Sequence, residues 1–284
     1  MNSSLSRPPG VLRALAALAI YYVLFFVFAW IARSDISERI VAASGWTPPA
    51  MLLPIVTAWL GASVGITVVF LFSKWQEKPS SADDKDAPVA GNQSQVSQLI
   101  RFLLGGIIVD IACNYAAMKW LGTPGESGVL QLALMATANL GILTAATSAG
   151  ILVARGLREP RYLVMAAIVG AITDIFSVYA GPSKQVVSSD VFPYLGYQWG
   201  VFGQGVIPCV GAGDFIFLSL YFVGARRFGL SERKTFMAMI AAFGLGFVSL
   251  VLTGAAIPAL PFMATLLLLV HARQLKALCQ PEAA

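Results

Sequence analysis

Three aspartates stand inside apolar segments of this sequence, where an ionisable side chain is unexpected. They are Asp110 in "GGIIVDIACNY", Asp174 in "GAITDIFSVYAG" and Asp214 in "GAGDFIFLSLYF". A charged side chain at the centre of a bilayer costs at least ~2.5 kcal/mol, so each aspartate is a candidate for a functional site. Asp110 is followed one helical turn later by Asn114, and for Asp110 a structural and a functional role are equally open.

Asp174 and Asp214 are expected at the same depth on two consecutive antiparallel helices, each ~10 Å from the same end of its predicted span. Two carboxyl groups a few ångström apart in a medium of low dielectric share one proton, so one is a base and the other an acid. Such a pair can hydrolyse an amide: the base deprotonates a water that attacks the carbonyl carbon, and the acid donates to the carbonyl oxygen. A transporter can use the same pair for proton coupling, so the pair alone leaves both functions open.

Glycines and prolines near these aspartates indicate an unusual site at one level of the membrane. Gly211 and Gly213 remove side chains beside Asp214, so that a substrate backbone or a packing helix can approach closely. In "AAIPALPFM", Pro258 and Pro261 interrupt helical hydrogen bonding, which at membrane depth is tolerated only where protein or a water-filled cavity satisfies the backbone.

The segments that must position these residues are long and apolar. The chain has 284 residues, of which 57% are hydrophobic and 12% charged, and its mean hydropathy of +0.76 excludes an ordinary soluble domain. We predict an all-α polytopic membrane protein with a single integral membrane domain over residues 1–284. The eight predicted spans are 12–32, 50–72, 98–120, 129–154, 161–181, 208–227, 234–254 and 257–275.

This domain divides into two parts by content. Residues 12–155 are the N-terminal helices, interrupted at 74–97 by a segment rich in Ser, Pro, Asp and Lys, which we expect to be a solvated linker. Residues 156–276 carry the two paired aspartates and the glycine and proline motifs.

The cations predict how the chain is oriented. Of 19 Lys and Arg residues, all but Arg33, Arg39, Lys119 and Lys184 fall in the loops and termini of one side. The positive-inside rule places this side, with the N- and C-termini, in the cytoplasm. We expect the lipid bilayer, with its anionic headgroups, to be the partner of the basic loops, and no nucleic acid, because no basic patch is interleaved with aromatic residues.

The remaining reactive side chains give no second site. For the single histidine, His271, we expect an interfacial role at the cytoplasmic end of the last helix, since no Ser–His or Cys–His triad surrounds it. Cys113, Cys209 and Cys279 lack the spacing of a zinc site or a disulfide framework. We therefore expect neither a metal nor a cofactor.

Three motifs, each on its own helix and in the same order, resemble those of the presenilin and signal peptide peptidase family of intramembrane aspartyl proteases. The segments "TDIFSVYAGP", "GAGDFIFLSLYFVG" and "IPALP" stand where that family has YD, GxGD and PAL. The resemblance covers about residues 160–265, and it implies a presenilin-like fold with the active site between the fifth and sixth helices. It also implies a catalytic pair, Asp174 and Asp214. The residues expected to shape the site and dock substrate are Thr173, Gly211, Gly213, Pro258, Ala259 and Leu260.

The chain departs from the family at two points. Thr173 stands where the family has a tyrosine before the first aspartate, so the contribution of that phenol to the site is in question. We also count eight helices where the family has nine. With a cytoplasmic N-terminus, the fifth helix then runs outward, as in signal peptide peptidases and opposite to presenilins. We therefore expect single-span substrates with a cytoplasmic N-terminus, including leftover signal peptides.

The loop "PSKQVVSSDVFPYLGYQW" between the fifth and sixth helices has two interpretations. Its β-branched and aromatic residues favour an edge strand that binds an unwound substrate, in which case proline at Val186 or Val187 lowers cleavage. An aromatic loop at the membrane interface is equally open. The loop lacks the long insert associated with presenilin self-cleavage, so we expect no obligate partner subunit. The competing functions are a proton-coupled transporter and a catalytically inactive substrate-binding homologue.

Overall fold

The structure is a computed structural model. It describes residues 9–34, 37, 39, 48–76, 90–120, 128–182, 185, 189, 191–253 and 258–279.

Eight long helices make up most of the described chain, which confirms the prediction of a mostly helical protein with eight helices. They are α1 (Pro9–Ala32), α2 (Pro48–Gln76), α3 (Ala90–Trp120), α4 (Val129–Arg155), α5 (Pro160–Ala180), α6 (Ala212–Arg227), α7 (Glu232–Thr253) and α8 (Leu260–Cys279). Six of them, α2, α3, α4, α5, α7 and α8, are long and apolar enough to cross a membrane. This character indicates an integral, multi-pass membrane protein.

Helix α4 is the central element, with buried residues along its whole length. Small residues allow its neighbours to approach: a Cβ on Gly141 would lie 2.7 Å from the Gly106 carbonyl oxygen on α3, and a Cβ on Gly150 would lie 2.4 Å from the Ile216 carbonyl oxygen on α6. Close backbone packing of this kind replaces the hydrophobic driving force that helices lack in lipid. It fixes α3 and α6 on two sides of α4.

A β-hairpin precedes α6, and here the predicted sixth span of 208–227 is wrong. Strands β1 (Gly196–Val201) and β2 (Gly205–Gly211) pair antiparallel, after a single helical turn at Phe192–Leu195, and α6 begins only at Ala212. The apolar run "VIPCV" is continuous with the apolar helix that follows it, so hydropathy could not separate the two. Gly203 and Gly205 have φ of 72° and 75°, which is the backbone that the turn between the strands requires.

The predicted linker of 74–97 is also partly wrong. Helix α2 continues to Gln76, and α3 begins at Ala90. Residues 93–97, which are polar except for Val96, extend α3 beyond the apolar segment. Helix formation does not require apolar residues at every position. Residues 77–89 lie outside the described part of the chain.

The hairpin is packed into the helix bundle on its β1 side. All six residues of β1 are buried, and a Cβ on Gly61 of α2 would lie 2.2 Å from the Trp199 ring. Phe25 of α1 makes an edge-to-face contact with the same ring, with centroids 5.7 Å apart. The hairpin is therefore a rigid part of the bundle and not a surface loop.

Candidate active site

Helices α5 and α6 lie antiparallel, and two contacts define their register. Leu163 of α5 faces Gly224 of α6, and Gly170 faces Phe217: a Cβ on either glycine would lie within 2.8 Å of the facing side chain. From the first contact to the second, each helix advances seven residues in opposite directions. Three to four residues further in the same directions lie Asp174 on α5 and Asp214 on α6. The helix packing thus brings the two aspartates to one level.

Asp174 is half-buried and is fixed by the third motif. Its Oδ2 accepts a hydrogen bond of 3.0 Å from the backbone N–H of Leu260, the first residue of α8. An N–H group at the start of a helix has no partner within its own helix, and the helix dipole there favours a negative charge. The beginning of α8 therefore stabilises the carboxylate form of Asp174 and orients one of its oxygens.

Asp214 is held by the start of its own helix. It is the third residue of α6, and its Oδ2 accepts a hydrogen bond of 3.2 Å from the backbone N–H of Gly211. Gly211 is both the last residue of β2 and the N-cap of α6, so the carboxyl group sits where the strand becomes a helix. Both aspartates thus accept a hydrogen bond from a backbone N–H at a helix start, Asp174 from α8 and Asp214 from the N-cap of its own helix.

The two carboxyl groups lie at one level of the facing helices α5 and α6. One oxygen of each carboxyl group is hydrogen-bonded, and the other makes no hydrogen bond to the described residues. Each aspartate can therefore hold its orientation through one oxygen while the other oxygen contacts a water or a substrate. This is the arrangement that a general acid/base pair requires.

The two motif glycines leave free space beside this pair. A Cβ on Gly213 would meet no atom within 4 Å, and a Cβ on Gly211 would meet only the Asp214 Oδ2, at 3.5 Å. Helix packing does not require either glycine, unlike Gly170 and Gly224. The space beside Asp214 remains open to another backbone.

The other motif residues differ in their relation to the pair. Pro258 and Leu260 are buried and Ala259 is half-buried, and this segment provides the N–H that binds Asp174. Thr173 is exposed, and the described residues offer it no hydrogen bond. The structure therefore brings the proline motif to Asp174 and leaves the neighbouring Thr173 side chain exposed.

The hairpin leads directly into the site. Strand β1 covers one edge of β2, and the opposite edge of β2 pairs with no strand in the described ranges. Val206 and Val210 of β2 are buried, while the residues between them are only half-buried. Because β2 ends at Gly211, three residues before Asp214, its open edge runs towards Asp214. Val186 and Val187, at which we predict that proline lowers cleavage, lie outside the described residues.

A buried network of polar side chains supports strand β1. Asn139 of α4 donates from Nδ2 to the Gln198 carbonyl at 2.6 Å and accepts from the Gln198 N–H at 2.8 Å, so one amide covers the outer edge of β1. The Gln198 side chain donates to Asn114 Oδ1 at 2.8 Å, and Asn114 donates to Asp110 Oδ1 at 2.9 Å. Asp110 is thus bound into the support of the hairpin, away from the paired aspartates. Sequence reasoning missed Asn139 and Gln198, although polar amides within apolar segments are the same signal that marks the aspartates.

His271 is buried, and the expected interfacial role is wrong. Its Nε2 lies 2.9 Å from Thr235 Oγ1 on α7, and its Nδ1 lies 3.2 Å from Gln274 Oε1. The imidazole joins α7 to α8, because Thr235 offers it a polar partner that the sequence of α8 alone does not reveal. This ring is a structural histidine.

Comparison with protein-family models, with curated proteins and with solved structures finds no match to this chain. The site is therefore interpreted from its own geometry.

Proposed function

We propose that this protein is an intramembrane aspartyl endopeptidase of the presenilin and signal peptide peptidase type, with a presenilin-like arrangement of its catalytic helices. The observation that carries the proposal is the pair Asp174 and Asp214, which lie at one level of facing helices and are each held through one oxygen by a backbone N–H. The free space at Gly213 supports it, since a substrate backbone needs room beside the pair.

In the proposed reaction, one aspartate is ionised and the other carries a proton. The ionised carboxylate takes a proton from a water, and the resulting hydroxide attacks the scissile carbonyl carbon while the protonated carboxyl group donates to the carbonyl oxygen. The tetrahedral intermediate then collapses as a proton passes to the leaving nitrogen. The products are a carboxylic acid and an amine, and the pair returns to its starting charge.

The substrate of this reaction is a transmembrane helix that has partly unwound. A helix hides its scissile carbonyl in its own hydrogen bonds, so an exposed backbone needs new partners at this depth. The open edge of β2 can provide them, by adding the unwound segment as a third strand. Because β2 ends at Gly211 and Asp214 follows three residues later, a strand bound there extends to the catalytic pair.

We propose further that the substrate enters with its N-terminus in the cytoplasm and that the chain acts without an obligate partner subunit. The polarity follows from the cation distribution, which sets the direction of α5 and α6. Presenting one reporter helix in both orientations tests it, because preferential cleavage of the form with its N-terminus outside contradicts this polarity.

The proposed function is tested with the purified chain, a labelled signal-peptide-like helix and mass spectrometry of the products. Wild type is expected to cut within the apolar segment, and Asp174→Asn and Asp214→Asn are each expected to lower the rate by at least about a thousandfold. Glu159→Gln removes a carboxylate at the exposed start of α5, where it pairs with Arg161, and serves as the control that retains activity. Equal rates for wild type and both asparagine variants contradict the proposal.

A second measurement separates the protease from the competing functions. A peptide with a hydroxyethylene group in place of the scissile amide mimics the tetrahedral intermediate, so a protease binds it at the aspartates and is inhibited. A proton-coupled transporter instead shows uptake that depends on a pH gradient and tolerates the peptide. An inactive homologue binds the helix and releases no products.

A further inference from the structure

Tyr221 of α6 carries a buried hydroxyl group without a partner. The side chain is fully buried, with 0% exposure, and its oxygen has no hydrogen bond to the described residues. Burying a hydroxyl group without a partner is unfavourable by about 1–3 kcal/mol, whereas phenylalanine would fill the same space without this penalty. A tyrosine at this position therefore needs an explanation other than packing.

The position of Tyr221 relates it to the catalytic pair. It follows Asp214 by seven residues, so the two side chains lie on the same face of α6, two turns apart. Phe217 lies between them on that face and contacts α5 at Gly170, which shows that the face is directed at α5. Side chains of a helix lean towards its N-terminus, and on α6 this is the direction of Asp214 and of the facing Asp174.

Two further observations identify the target of the phenol. The Tyr221 ring packs against Phe217, with centroids 6.1 Å apart, which restricts its rotation. Asp174 lies on α5 one turn beyond Gly170, the residue that Phe217 faces. The Oδ2 of Asp174 is already bound by the Leu260 N–H, so the oxygen left for another donor is Oδ1.

We infer that Tyr221 is a positioning residue whose hydroxyl group donates a hydrogen bond to the free oxygen of Asp174 when the site closes on a substrate. Hydrogen bonds of a catalytic group are often long in the empty site and shorten in the complex. The phenol keeps its proton, and it orients the carboxyl group in the transition state. This inference rests on the proposed function, because the reaction gives Asp174 its role.

The test compares Tyr221→Phe with Tyr22→Phe, which removes a second tyrosine hydroxyl from the bundle. Tyr22 lies on α1, and its hydroxyl oxygen is 3.0 Å from Thr137 Oγ1 on α4. For Tyr221→Phe we expect kcat to fall about ten- to hundredfold, with unchanged KM and unchanged or increased thermal stability. Affinity for the hydroxyethylene peptide should fall in parallel with kcat. For Tyr22→Phe we expect unchanged or lower thermal stability and unchanged kcat.

The asparagine variants of the pair separate failure of this inference from failure of the proposed function. If Asp174→Asn and Asp214→Asn are inactive while Tyr221→Phe has the kcat of wild type, the inference is overturned and the protease stands. If Tyr221→Phe loses kcat only together with thermal stability, its role is structural and the inference is also overturned. Absence of cleavage by wild type overturns both.

Discussion

At the scale of single residues, the site is distinguished by two carboxyl groups that lie at the same level. Asp110, Asp174 and Asp214 each accept one hydrogen bond within the described ranges. Asp110 takes its bond from Asn114 on the same helix, within the network that supports β1. Asp174 and Asp214 instead lie at one level of two facing helices. Two ionisable groups brought together inside an apolar bundle favour a role in binding or catalysis.

The free space at Gly213 predicts a separation of activity from stability. Gly213→Ala places a methyl group where no atom lies within 4 Å, so the folded chain loses nothing and gains helix propensity. The same methyl group occupies the volume that we assign to the substrate backbone. We expect an unchanged or slightly higher melting temperature and a cleavage rate lowered about tenfold or more, equivalent to at least ~1.4 kcal/mol.

Gly105→Ala is the matched control for this prediction. Gly105 lies on α3, and a Cβ there also meets no atom within 4 Å. Both the melting temperature and the cleavage rate should remain as in wild type. A Gly213→Ala variant that cuts as fast as Gly105→Ala would show that the open volume is not a substrate site.

At the scale of elements, the distance between the two aspartates depends on how closely α5 and α6 pack. Of the two contacts that define their register, the one between Gly170 and Phe217 lies nearer to the aspartates. A Cβ on Gly170 would lie 2.6 Å from Cε1 of Phe217, so Gly170→Ala forces the helices apart one turn from Asp174. We expect a loss of about 1–3 kcal/mol in stability and strongly reduced cleavage. The double variant Gly170→Ala/Phe217→Leu shortens the facing side chain and should recover part of both. Measured rates and melting temperatures that fail to recover together would contradict this account of the spacing.

Substitution of Asn139 tests whether the position of the hairpin affects cleavage, because Asn139 binds the backbone of β1. Asn139→Leu leaves the N–H and C=O of Gln198 buried without their partner, which costs about 1–3 kcal/mol for each group. We expect a lower melting temperature, faster hydrogen exchange of the β1 amides and reduced cleavage. Gln131→Leu also removes a buried amide of α4, one that donates to the Ala117 carbonyl on α3 at 3.1 Å. It should lower stability while preserving cleavage.

The same elements show how much of the fold and site the sequence could predict. Hydropathy identifies the eight helices, because each apolar segment is detected independently of its neighbours. It fails at the hairpin, where "VIPCV" and the following helix share one hydropathy signal. The glycines of "GVFGQGV", two of them with positive φ, and Pro208 were the local signals of a turn between strands. The Leu260 contact with Asp174 joins residues 86 positions apart, and no local pattern predicts such a bond.

At the scale of the whole molecule, the orientation of the chain in the membrane sets the direction in which the proposed protease accepts a substrate helix. Cys279 is exposed near the C-terminus, whereas Cys113 and Cys209 are only half-exposed within the bundle. If the C-terminus is cytoplasmic, a membrane-impermeant maleimide should label Cys279 only after the membrane has been permeabilised. Cys279→Ser provides the background. Labelling of intact cells at Cys279 would reverse the orientation and with it the expected polarity of the substrate.

Helix α6 is shorter than the bilayer that its neighbours can cross. With 16 residues, it is ~24 Å long, whereas the hydrocarbon core of a typical bilayer is ~30 Å thick. Only Gly213 and Arg227 of this helix are exposed, so protein and not lipid surrounds it. At the Asp214 end, strand β2 continues the chain in place of a helix. The outer helices therefore shield non-helical backbone next to Asp214, which a bilayer tolerates only where protein covers it.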